Sequence, residues 1–175
     1  MTSILKVDNI QNSSGASALS IDSSGVVTKP EVPAFHVTYA DGVTCTASGT
    51  NYPFTSPSIT NGFNNGSHYD LTNNYFLVPV SGIYMFYFSY LRNNNQAVFR
   101  AKVGDENNAR YNGSPQLRSS EGWSGYNLTA SQATIFNCTA GDKVRLVVSC
   151  DSSGQIIYDD NNSGNYNYFG GFLVG

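Results

Sequence analysis

A chain of 175 residues holds one elaborate all-β domain, or one domain with an appendage, and is too short for two full domains. With 12% charged residues, 13% aromatic residues and 17 glycines, it matches turn-rich β-sandwiches rather than helical proteins rich in Glu, Lys and Ala. A formal net charge of -3 and a pI near 5.1 supply no basic footprint for a phosphate backbone or an anionic bilayer, so nucleic acid is disfavoured as a partner.

The opening text "MTSILKVDNIQNSSG" lacks the basic stretch and apolar run of a secretory signal, so a protein made in the cytoplasm without export is expected. Residues 1–29 contain short aliphatic runs, "ILKVDNI", "ALSI" and "GVVT", separated by the turn signals "QNSSGAS" and "DSSG". This segment has no aromatic residue and too few aliphatics for a core. It is expected to form small strands that become stable only against other copies of the chain or a mounting protein. The sequence shows no internal repeat at a fixed period, which argues against a propeller or solenoid. "TKPEVP" at Thr28–Pro33 then marks a boundary, because its two prolines stiffen the chain and remove ladder donors. The expected division is an arm, 1–29, and a globular knob, 30–175.

In the knob, "AFHVTYA" alternates Phe35, Val37 and Tyr39 against His36 and Thr38, a period of two that predicts a half-buried strand. "DGVTCTASGTNYPFTSPSITNGFNNGS" reads as loops holding short strands. After "PVSG", the segment "GIYMFYFSYL" places Tyr84, Phe86, Phe88 and Tyr90 on one side of a strand and Ile83, Met85, Tyr87, Ser89 and Leu91 on the other. Both sides are apolar or amphipathic, so this strand needs cover on both. At about half of the ~20 residues that a spanning helix needs, the run from Ile83 to Leu91 is not a membrane segment. "AVFRAKVG" predicts a strand with one wet face, and "DENNARYNGSPQLRSSEGWSG" a long polar loop carrying the only tryptophan, Trp123. "YNLTASQATIFNCTAGDKVRLVVSCDSSG" supplies two strands joined by "TAGDK", and "YNYFGGFLVG" a final apolar strand. Cys45, Cys138 and Cys150 are odd in number and far apart, which predicts reduced thiols, with Cys138 and Cys150 acting as small apolar strand residues.

Four segments, "VPAFHV", "YDLTNNYFLVPVSGIYMFYFSY", "AGDKVRLVV" and "YFGGFLVG", in this order resemble the globular head of complement component 1q and its relatives, from about Pro33 to Gly175. The resemblance places Tyr69, Asp70, Phe76, Pro79, Gly82, Tyr84, Phe86, Gly141, Asp142, Phe169, Gly171, Phe172 and Leu173 on framework positions. It implies an all-β antiparallel jelly-roll sandwich like that of tumour necrosis factor, assembled as a homotrimer, with Phe35, Tyr84, Phe86, Phe88, Phe169 and Phe172 in the core or the trimer contact. No collagenous stalk precedes the domain. The first thirty residues instead resemble the small trimer-forming stretches of bacteriophage tail-fibre and other virion surface proteins.

The expected function is therefore that of a non-enzymatic phage structural protein on the virion surface, a fibre head or adhesion module for host attachment. A capsid decoration or cement protein of the head shell is the alternative, and a polysaccharide-degrading virion enzyme a third. His36 and His68 have no metal-ligand or nucleophile motif around them, and the 12 acidic residues are scattered through turns. Tyr and Trp beside Asn and Ser suit stacking on sugars or gripping a protein, which makes Trp123, Tyr111, Tyr126 and Tyr166 candidate contacts to a host surface glycan or protein. Relatives of this fold sometimes hold calcium near the apex, and Asp159, Asp160, Asp105 and Glu106 are the oxygen-rich candidates here. No other cofactor is expected. Expected partners are two sister chains and, through the arm, other virion proteins.

Overall fold

A computed structural model of the chain describes residues 5–29, 32–40, 43–45, 51–92, 99–105, 128–150, 155–157 and 166–175. Among these, all regular structure is β and every strand pair is antiparallel. The arm forms its own small sheet from β1 (Asn9–Gln11), β2 (Ser17–Ile21) and β3 (Val27–Thr28). The knob is two facing sheets. The larger has seven strands: β4 (Ala34–Tyr39), β5 (Val43–Cys45), β7 (Pro57–Asn65), β10 (Gly82–Arg92), β12 (Leu128–Cys138), β14 (Gln155–Ile157) and β15 (Tyr168–Leu173). Its backbone order is β7-β4-β15-β10, with β12 along the free side of β10 and β14 and β5 continuing from its far end. The smaller sheet combines β6 (Asn51–Pro53), β8 (Tyr69–Asp70), β9 (Tyr75–Leu77), β11 (Phe99–Asp105) and β13 (Lys143–Cys150).

Alternation decides what goes inside. Phe35, Val37 and Tyr39 of β4 and Tyr84, Phe86, Phe88 and Tyr90 of β10 point into the gap between the sheets and are fully buried, as is Phe169 of β15. Phe76, Val144 and Leu146 meet them from the smaller sheet. The rings join the layers: Phe35 stacks on Phe76 at 4.7 Å and meets Phe169 edge-on at 5.0 Å, while Phe86 stacks on Phe169 at 5.9 Å. Tyr39 and Tyr69 share a buried hydroxyl–hydroxyl hydrogen bond of 2.8 Å, and burial pushes both phenols up, so the pair is neutral. Cys138 is buried within this core.

The connection through "PVSG" crosses from β9 in one sheet to β10 in the other. It is fixed on several sides. The Tyr84 hydroxyl donates to the Val80 carbonyl (2.9 Å), the Val78 amide to the Asp142 carbonyl (2.9 Å), and the Gly141 amide to the Val78 carbonyl (2.8 Å). The "TAGDK" turn is thus docked against the bend, and the strands it joins, β12 and β13, lie in opposite sheets.

Two sequence expectations need correction. The loop-like text "PSITNGFNN" is one nine-residue strand, β7. It is an edge strand, so Asn and Thr meet water, and Pro57 stands at its first position, where no ladder donor is lost. Its pairing with β4 slips between His36, opposite Phe63, and Thr38, opposite Ser58. Second, the arm does contain a repeat, of ten residues. Asn12-Ser-Ser-Gly15 joins β1 to β2, and Asp22-Ser-Ser-Gly25 joins β2 to β3, with the same hydrogen bonds. Asn12 Oδ1 accepts from the Ser14 and Ala16 amides (3.0 Å each), and Asp22 Oδ1 from those of Ser24 and Val26 (2.8 and 2.9 Å). Gly15 and Gly25 close the turns at φ of 88° and 82°, a conformation that glycine adopts without strain.

Truncating Phe86 to Ala is expected to destabilise the fold by about 3–5 kcal/mol, the usual cost of deleting a buried Phe. Met85→Ala, on the other side of the same strand, costs less in a single chain. Equal shifts of the two variants in denaturant melts would contradict the assignment of strand faces.

Candidate interaction face

The side of the seven-stranded sheet that turns away from the core is also apolar. On β10, Ile83, Met85 and Tyr87 point outward between Phe172 and Tyr168 of β15 and Ile135 and Ala133 of β12. His36 of β4 lies beside Tyr168, and Phe63 of β7 is opposite His36. In a single chain Ile83 and Phe63 are each 46% exposed, Phe172 38% and Ile135 64%. Large aliphatic and aromatic side chains from all the long strands of one sheet face make a contiguous patch of the kind that monomers rarely leave open. The opposite outer surface differs in character: on the smaller sheet, Lys143 Nζ sits 4.7 Å from the centre of the Tyr75 ring and the Arg145 guanidinium 5.9 Å from it.

The centre of the apolar face is an aromatic group around a histidine. The His36 ring is 5.8 Å from that of Tyr87, 5.2 Å from Tyr168 and 6.3 Å from Phe63. His36 Nδ1 lies 3.1 Å from the Tyr87 hydroxyl, and a neutral ring protonated on Nε2 accepts that hydroxyl's hydrogen. Desolvation lowers the His36 imidazole below its ordinary value near 6.5. The titratable groups facing it are the phenols of Tyr87 and Tyr168, and burial raises that of Tyr87. No carboxylate among the described residues stands beside it to stabilise the imidazolium.

The group escapes sequence reading. Alternation alone places His36 and Tyr87 on outward faces, but bringing them together requires the register that sets Tyr87 opposite Gly170 and Gly170 opposite His36. Of the aromatics expected in the core or the trimer contact, Phe35, Tyr84, Phe86, Phe88 and Phe169 are in the core, whereas Phe172 belongs to the outward face. Among the candidate ligand contacts, Tyr166 is exposed just before β15. Trp123, Tyr111 and Tyr126 lie outside the described residues, as do Asp159, Asp160 and Glu106 of the calcium candidates. Asp105 ends β11 opposite Val144. Among the described residues, no three His, Cys, Asp or Glu side chains converge as a metal site.

The C1q domain family model matches residues 34–174, and the chain belongs to that family. Solved structures agree on the fold. The globular domain of zebrafish complement 1qA aligns at 18% identity and a TM-score of 0.52, covering 82% of this chain and 98% of that one. Murine APRIL at pH 5.0 aligns at 13% identity and a TM-score of 0.58, covering 82% and 99%. A search of curated proteins found no match. Domains of this family typically form homotrimers and are generally non-enzymatic.

The His36 environment makes stability pH-dependent with a definite sign. The native ring resists protonation, so above about pH 6.5 its burial costs nothing, and as pH falls the unfolded chain takes up the proton first. Native stability is therefore expected to decline from about pH 6.5 downward until the lowered native value is reached. Thermal melts across this range are expected to show the decline for the native chain and a flatter profile for His36→Phe, which keeps a ring and cannot titrate. Identical profiles would show that His36 is not the responsible group.

Proposed function

We propose that this chain is a homotrimeric structural protein of a bacteriophage particle, whose knob is displayed outward as a fibre head or adhesion module and whose arm joins it to the virion. The observation that carries the reading is the apolar outward face of the seven-stranded sheet. It leaves Ile83, Phe63, Ile135 and Phe172 in water unless sister chains cover it, and the family typically assembles in threes. The knob's own core is complete, so a second apolar face is accounted for by assembly.

The virion setting rests on the arm: a small polar-turned sheet with no aromatic residue, set before a self-sufficient domain. The function is recognition or structure, not catalysis. Trp123, Tyr111, Tyr126 and Tyr166 are the side chains proposed to meet a host glycan or protein, and Asp105, Glu106, Asp159 and Asp160 those that would bind calcium if the apex takes it. The same arm resting on a head shell would make the chain a decoration protein, and imaging labelled particles separates the two.

Light scattering is expected to give three times the 18.9 kDa chain mass, and a monodisperse monomer at micromolar concentration would contradict the assembly. Deleting residues 1–29 is expected to leave a folded, soluble knob that no longer incorporates into particles. Normal incorporation of the truncated chain would move the attachment site into the jelly roll.

A further inference from the structure

The arm sheet has two unlike faces. Pairing of Ile10 with Leu19 and of Ile21 with Val27 puts these four aliphatics on one face. The other face carries Asn9, Ser20 and Thr28, where the Ser20 hydroxyl donates to Asn9 Oδ1 (2.8 Å). Between the arm and the base of the knob lies a cavity of about 300 Å³, lined from the arm by Ala18 and Lys29 and from the knob by residues including Pro33, Pro79 and Leu173. Ala18 is the extra residue where the β1–β2 register shifts, between Leu19, opposite Ile10, and Ser17, opposite Gln11. None of the four aliphatics lines the cavity; Ile10 and Val27 are about half exposed, and Leu19 and Ile21 are partly buried.

We infer that this aliphatic face is a self-association surface, and that its occupants are the arms of the two sister chains in the same trimer. The inference rests on the trimeric reading of the knob and extends it to a second interface. Only residues 29–33 separate β3 from β4, a link that spans at most about 20 Å when fully extended. Ala34, where the link ends, is paired with Phe172 on the apolar outward face itself. The three arms therefore leave from the edge of the knob contact, held at an effective concentration in the millimolar range or above. A three-stranded sheet this short is marginal alone. Under that tether even a weak aliphatic contact is satisfied by a sister arm.

The test is cysteine cross-linking in the full-length chain. Val27→Cys places a thiol on the aliphatic face, and Thr28→Cys, the next residue, places one on the polar face. Under mild oxidation Val27→Cys is expected to give a disulfide-linked dimer on a non-reducing gel, since a three-fold axis lets two of three thiols pair. Thr28→Cys is expected to stay at the background of the native chain, whose own thiols serve as the control. Light scattering on the same samples separates the two readings. A trimer in which Val27→Cys does not cross-link, or in which both variants cross-link equally, overturns the arm interface alone and points to a mounting protein as the occupant. A monomer overturns both.

Discussion

The fold depends on how the aromatic strand β10 lies against the diglycine of β15. Tyr87 is opposite Gly170 and Phe86 is opposite Gly171. A Cβ on Gly171 would stand 2.5 Å from the Phe86 ring, and one on Gly170 would fall 2.3 Å from that of Tyr87. Each glycine thus leaves room for a ring to lie across the neighbouring strand, Phe86 on the core side and Tyr87 on the outer side. A side chain on β15 would push the ring away on one face or the other. On the core side it would break the stack of Phe86 on Phe169, and with it the ring path that links the sheets through Phe35 and Phe76.

The same arrangement gives the sheet two working surfaces. Inward, large rings fill the sandwich. Outward, Tyr87 folds flat over Gly170, meets His36 and Tyr168, and leaves a broad apolar face continuing into Met85, Phe172 and Ile135. The histidine within it is held neutral because burial among Tyr87, Tyr168 and Phe63 disfavours its charged form. Lys143 and Arg145 occur on the opposite sheet, against the Tyr75 ring.

Much of the knob was legible because β4 and β10 are strongly alternating. The period of two in "AFHVTY" and "IYMFYFSYL" sets Phe35, Val37, Tyr39, Tyr84, Phe86, Phe88 and Tyr90 in the core, though Thr38, Ser89 and Leu91 of the other side are buried as well, and "PVSG" marks the crossing between sheets. What stayed hidden was non-local or weakly encoded. Edge strand β7 carries a composition normally found in loops, because among the described residues it pairs on one side alone, with β4, and much of it meets solvent. The arm's repeat has two copies, and its first turn residue changes from Asn12 to Asp22; only the matching hydrogen bonds make it plain. The histidine–tyrosine group depends on register across three strands, which composition does not contain. The candidate tyrosines and carboxylates of the long polar loops, Tyr166 and Asp105 apart, fall outside the described residues, so their expected roles rest on residue chemistry alone.

The central claim is that the outward face of the seven-stranded sheet is an interface between copies of this chain. The most direct measurement places a charge on that face without touching the core. Phe172→Lys puts an ammonium where the face would be dry, and sedimentation velocity with near-ultraviolet circular dichroism reports assembly and packing together. The account predicts a folded monomer with the aromatic signal of the sandwich retained. A folded Phe172→Lys trimer as tight as the native one would contradict it.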